Sequence, residues 1–106
     1  MKGDILVLPF PYTDLTLSKS RPCLVVATLK GDDLILCQIT SQLRDDEDAI
    51  ELNDKDFQQG KLNRNSFIRP NRLFTAESLV IEYKTGKLKQ AKIEEVENKL
   101  CEIFKR

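Results

Sequence analysis

Histidine is absent from this chain of 106 residues. That removes the side chain that most often serves as a general base near neutral pH, and with it the commonest zinc ligand. Neither a metal site nor a cofactor is therefore expected. Cysteine is scarce: there are three, an odd number with no Cys-x-x-Cys spacing. Such thiols fit a reduced core, as in a cytoplasmic protein. Net charge is also missing, because 17 Lys and Arg balance 17 Asp and Glu, so no overall field draws the chain to nucleic acid. No apolar stretch approaches the roughly 20 residues needed to span a bilayer. The opening "MKGDILVLPFPYTD" holds a short apolar run without a small-residue cleavage site. A cytoplasmic location with no membrane partner is the expectation.

What is present fits one domain over residues 1–106, with a hydrophobic fraction of 41% that argues against disorder. The zero net charge hides a pattern. Residues 1–44 carry 5 basic and 4 acidic groups, residues 45–60 carry 1 and 7, and residues 61–106 carry 11 and 6. A polyanion would have to meet a local basic surface and avoid Asp45–Asp56. The acidic run Asp45–Asp48 reads as a solvated loop.

Ile5–Leu8 is a short apolar run stopped by "PFPYTD", which reads as a loop continuing to about Ser20. Cys23–Ala27 is continuous, apolar and rich in β-branched residues, the pattern of a central strand. Leu34–Ile39 reads as the next, and Gly31-Asp32 between them is a two-residue hairpin signal. Ala49–Leu52, Ser66–Arg69 and Leu73–Phe74 suggest short strands, with Pro70 separating the last two. "ESLVIEYKTGKL" mixes strand with a turn at Gly86. Ile93, Val96, Leu100, Ile103 and Phe104 fall at helical spacing on one face, with Glu95/Lys99 and Glu102/Arg106 four apart on wetter faces. The helix starts near Lys89 without an evident N-cap. These elements predict a mainly β fold, a small bent sheet or barrel closed by a C-terminal helix.

A two-residue turn at Gly31-Asp32 would pair residues whose numbers sum to 63. Arg21 then faces Gln42 and Thr40 faces Cys23, so Arg21, Cys23, Gln38, Thr40 and Gln42 share one side of the sheet. A permanent cation, a hydroxyl and amides at one end of a ladder suit a phosphate. A one-residue slip would put Arg21 and Thr40 on opposite faces. The plainer alternative is that Arg21 is a solvated strand end and Thr40-Ser41 is turn chemistry.

"KGDILVLPFPYTD", then "SRPCLVVA", then "CQITSQL" resembles the MazF/PemK-type toxins of bacterial type II toxin–antitoxin pairs. "SFIRPNRLFT" and "GKLKQAKIEEVENKLCEIF" extend the resemblance over nearly the whole chain. It implies a small SH3-like β-barrel, the PemK/MazF/CcdB-like toxin fold, assembled as a homodimer. It also implies sequence-specific, metal-independent cleavage of single-stranded RNA in a groove at the dimer interface. The expected products are a 2′,3′-cyclic phosphate and a 5′-hydroxyl. The family's catalytic pair, the arginine of Arg-Pro and the threonine ending the third strand, falls on Arg21 and Thr40. Gln38, Ser41 and Gln42 are further candidates for RNA contact. Phe10 and Tyr12 are candidates to stack on unpaired bases, or to serve as core and its cover. Arg69 and Arg72 could track the backbone or be ordinary surface charge. Asp14 is a candidate base, a place where aspartate otherwise serves turns. The partners implied are RNA and a cognate antitoxin with an acidic tail, with DNA reached only through that antitoxin. The alternative is a non-catalytic binding module on the same barrel, such as a gyrase-binding toxin. Where many family members carry glycines and a glutamate before Arg-Pro, this chain has "DLTLSKSRP", a departure that bears on RNA preference.

Overall fold

A computed structural model of the chain describes residues 1–10 and 19–106. In chain order these form β1 (Asp4–Phe10), β2 (Lys19–Thr28), β3 (Asp33–Thr40), β4 (Ile50–Leu52), β5 (Phe57–Gly60), β6 (Ser66–Glu77), β7 (Tyr83–Leu88) and α1 (Gln90–Phe104). The strands make one antiparallel sheet in the order β4-β6-β3-β2-β1-β7-β5. Its two edge strands, β4 and β5, are consecutive in the chain, joined through a single 3₁₀ turn at Asp54–Asp56. Since a residue spans at most about 3.6 Å of chain, that short link forces the two edges together and the sheet must curl. The turn is fixed by a reciprocal cap between Asn53 and Asp56, in which the Asn53 N–H donates to Asp56 Oδ2 at 3.0 Å.

The inner face of the curl buries Ile5, Leu24, Cys37, Ile39, Ile50, Leu52, Phe57, Ile68 and Leu88, closed by Ile93 and Val96 of α1. Each of these larger aliphatic side chains contributes about 1.5–3 kcal/mol by leaving water. Lys92 ties the helix to β4 and to the turn that follows it, donating to the Glu51 carbonyl at 3.0 Å and standing 3.7 Å from the Asp56 carboxylate. The core stripe of the helix is shorter than its periodicity suggests. Leu100 is the last helical residue packed on the core, and Phe104, expected on the same face, is 70% exposed at the helix end. No helix among the described residues is long and apolar enough to cross a membrane.

The β2–β3 connection differs from the two-residue turn expected. Leu29 N–H bonds the Asp33 carbonyl at 3.0 Å, and Thr28 pairs with Leu34, leaving a three-residue loop, Lys30-Gly31-Asp32. Gly31 takes a φ of +77° there, a conformation that costs glycine little. The loop alone shifts the pairing sum from 63 to 62. A bulge between Val25 and Ala27 then shifts it again, so that Cys23 lies opposite Gln38 rather than Thr40. Either shift alone would reverse which side of the sheet Arg21 faces relative to Thr40. Together they restore it, and Arg21 and Thr40 line the same cleft.

Other expectations are corrected as well. β2 already begins at Lys19, ahead of the strand start expected past Ser20. β6 is one strand of 12 residues, not two, because Pro70 sits in a bulge where Arg69 pairs with Gln38 and Leu73 with Cys37. Gly86 lies within β7 rather than in a turn. A Cβ there would come 2.7 Å from the Gln59 carbonyl and 2.9 Å from the Phe57 ring, so β5 packs closely against it.

Candidate nucleic-acid interface

The start of β2, the end of β3 with its following turn, and the segment entering β6 enclose a cleft of about 580 Å³. Arg21 and Pro22 come from β2, Thr40 ends β3, and Ser41, Gln42 and Arg44 follow it; Lys19 and Arg64 complete the charged lining. Four cations therefore face this space, and no carboxylate is among the described residues lining it. None of the four is ion-paired to a described carboxylate. Ile39, Pro22 and Leu62 supply the apolar part of the lining.

Thr40 is held by its own turn. Its Oγ1 accepts the Gln42 N–H at 3.1 Å and donates to the Gln42 carbonyl at 3.0 Å. That local clasp fixes where the hydroxyl points. On the other wall, the buried Ser66 hydroxyl donates to the Arg64 carbonyl at 3.0 Å and anchors that backbone.

Sign is segregated at one peptide bond. Arg44 lines the basic cleft, whereas Asp45 through Asp48, with Asn71, line a separate acidic hollow. Asp45 sits at φ 34° between them, a left-handed turn that aspartate tolerates better than most residues. The acidic run is not simply a solvated loop. Asp46 receives Arg69 Nε at 2.8 Å, Asn71 Nδ2 at 2.9 Å and the Asp48 N–H at 3.0 Å. Burial would raise the Asp46 carboxyl, but these donors outweigh it and hold the group below the usual carboxylate range. Asp48 is held by Arg106, whose hydrogen bonds lower its carboxyl too.

Of the residues expected at the site, Arg21, Thr40, Ser41 and Gln42 are brought together in the cleft. Gln38 lies two residues further along β3 from Thr40, opposite Cys23 and Arg69, and is not part of the lining. Arg69 is engaged by Asp46 instead of facing the cleft. Phe10 ends β1 with its backbone opposite Lys19; its side chain, and all of Tyr12 and Asp14, lie outside the described residues. Lys19, Arg44 and Arg64 also line the cleft, although no motif in the sequence marks them. Only the basic excess of residues 61–106 hinted at Arg64. Below Arg21 on the same side, burial pushes the Cys23 thiol up to about 12 despite the opposing pull of the guanidinium.

The fold and the cleft together define a small curled β-sheet protein with a basic groove that has no carboxylate among its described lining residues. The family model of the PemK-like, MazF-like toxins of type II toxin–antitoxin systems matches residues 1–104, and the chain belongs to that family, one of endoribonucleases. Two solved structures share the fold at low identity. An endoribonuclease in complex with its cognate antitoxin, from a mycobacterial species, superposes with a TM-score of 0.77 at 12% identity, covering 98% of this chain and 93% of that one. The Mycobacterium tuberculosis toxin MazF-mt6 superposes at 0.75 and 14% identity, covering 96% of each. No curated protein sequence matches the chain.

Proposed function

We propose that this chain is an endoribonuclease toxin that cleaves single-stranded RNA in the Arg21–Thr40 cleft without a metal ion. RNA carries its own nucleophile in the 2′-hydroxyl, so the protein need only orient the strand and stabilise charge growing on the phosphate. Arg21 offers a forked, permanently charged donor for that charge and for the departing 5′-oxygen. Thr40 donates to a non-bridging phosphate oxygen, exchanging the Gln42 carbonyl for the substrate. The 2′-oxygen attacks phosphorus as its proton passes to water, the bond from phosphorus to the 5′-oxygen breaks, and that oxygen takes up a proton from water, so the products are a 2′,3′-cyclic phosphate and a 5′-hydroxyl. Ser41 and Gln42 supply further polar contacts to the RNA. The chain acts as a homodimer whose cleft is blocked by an acidic segment of a cognate antitoxin.

The observation that carries this reading is the convergence of four cations and the Thr40 hydroxyl on a cleft without a described carboxylate. A mixed-sequence RNA and its 2′-deoxy counterpart, each incubated with the protein and a chelator, test it. Mass spectrometry should find cyclic phosphate ends from the ribose strand alone. Cleavage of the deoxy strand, or cleavage only after metal is restored, refutes the reading.

A further inference from the structure

We propose that Gln42 is a positioning residue that acts through its backbone, its N–H holding and polarising the Thr40 oxygen while the Thr40 hydrogen swings to the phosphate. The inference rests on the cleft being the place where RNA reacts, and it gives a part in that step to a peptide group. The ladder of β3 with β6 ends at Thr40, opposite Phe67. Buried Ile39 anchors that strand end, Thr40 is half-buried, and Ser41 and Gln42 are exposed. Backbone just past a strand end has no ladder partner, so its N–H groups need acceptors of their own. The Gln42 N–H finds Thr40 Oγ1 at 3.1 Å, and the same hydroxyl donates back to the Gln42 carbonyl at 3.0 Å.

Those two bonds have different fates. A hydroxyl has one hydrogen and two lone pairs. Its hydrogen has to leave the carbonyl before it can reach a phosphate, and rotation about Cβ–Oγ1 does this with the oxygen at rest. The N–H occupies a lone pair, so it survives the rotation and keeps the oxygen aimed. The β-branched side chain, stiff at χ1, helps to hold that aim. Linked hydrogen bonds polarise one another, so an oxygen that accepts an N–H makes its own O–H a stronger donor. Such a donor gains most where charge grows on the phosphate. The carbonyl is a resting place that satisfies the hydrogen until a charged acceptor, the better partner, arrives. The Gln42 side chain takes no part in either bond.

The experiment deletes the N–H alone. Gln42→Pro is compared with Gln42→Ala, which lacks the side chain equally, and an amide-to-ester exchange at residue 42, made by chemical ligation, keeps the side chain. Each protein is first checked for a native circular dichroism spectrum. Single-turnover cleavage should be about tenfold slower in Gln42→Pro than in Gln42→Ala, and about tenfold slower in the ester than in wild type, the rate equivalent of one ordinary hydrogen bond. The ester should bind a 2′-O-methyl RNA, which lacks the free nucleophile, as tightly as wild type. In a Thr40→Ala background the ester should slow cleavage no further, whereas a merely structural role would slow it again; with Thr40→Ser, which keeps a hydroxyl, the sensitivity should return. An ester that cleaves at the wild-type rate, or an equal fall with and without the hydroxyl, overturns the proposal. A second measurement uses the unaltered protein. On binding the 2′-O-methyl RNA, the Gln42 carbonyl ¹³C resonance should move upfield as it loses its donor, while the Gln42 amide keeps its protection from hydrogen exchange. An unmoved carbonyl, or an amide that loses protection, overturns the proposal even if RNA is cleaved. If wild type cleaves nothing yet both signals behave as expected, the nuclease reading fails and the hydrogen switch stands.

Discussion

Asp46 Oδ2 lies 2.8 Å from Arg69 Nε, and the Asp46 side chain is only 3% exposed. This ion pair fastens the acidic turn to β6 and takes Arg69 out of the cleft's free cations. Removing the arginine would leave a nearly inaccessible carboxylate short of its charged donor, at a cost of about 1–3 kcal/mol. Arg69→Met should lower the urea midpoint accordingly, while cleavage of RNA at temperatures where the variant is folded should persist. An unchanged midpoint would contradict the structural role assigned here.

The same pair sets a pH dependence. The folded Asp46 carboxyl titrates below its unfolded value of about 3.9; the stability it confers is therefore complete above that value and lost as pH falls through the depressed folded one. Wild type should exceed Asp46→Asn in stability by a constant margin at neutral pH. That margin should narrow on acidification below about pH 4. Thermal melts of the two proteins over pH 2–7 check it, and a margin independent of pH would show that the carboxylate charge is not what matters.

Reactivity of the thiols should divide sharply. Cys23 and Cys37 are buried, and burial pushes both up to about 12, whereas Cys101 is exposed on α1. A thiolate-selective disulfide reagent at pH 8 should modify one cysteine per native chain and three after denaturation. Rapid reaction of all three in the native protein would contradict the burial of β2 and β3.

Closure of the sheet should depend on α1. Val96 is 1% exposed within the inner core. Val96→Ala should cost about 2 kcal/mol through lost transfer energy and the cavity left behind, read as a fall in urea midpoint. Phe104→Ala at the exposed helix end should cost far less. Equal effects would mean that the helix is anchored elsewhere.

Local pattern revealed much of this architecture. The β-branched run Cys23–Ala27, the run Leu34–Ile39 and the apolar spacing of Ile93, Val96 and Leu100 each announce an element and the face it buries. β5 was invisible because "FQQG" buries only Phe57, and its place in the sheet comes from pairing with β7. Pro70 looked like a strand break because a proline lacks a ladder donor, yet a bulge in β6 accommodates it. The grouping of Arg21 with Thr40 followed from alternation along two strands. Its route was not legible: a three-residue loop and a bulge near Val26 cancel, and neither leaves an unambiguous mark in the residues. Lys19, Arg44 and Arg64 come from separate segments, and only the curl of the sheet gathers them.

The most direct measurement is single-turnover cleavage of a mixed-sequence RNA, with chelator present, by wild type and by Arg21→Ala of verified native fold. Loss of the guanidinium of Arg21, which lines the cleft together with Thr40, should reduce the cleavage rate by at least about 10²–10³, while the urea midpoint moves little. A variant that cuts RNA at the wild-type rate would contradict the assignment of the cleft as the place where the phosphate reacts.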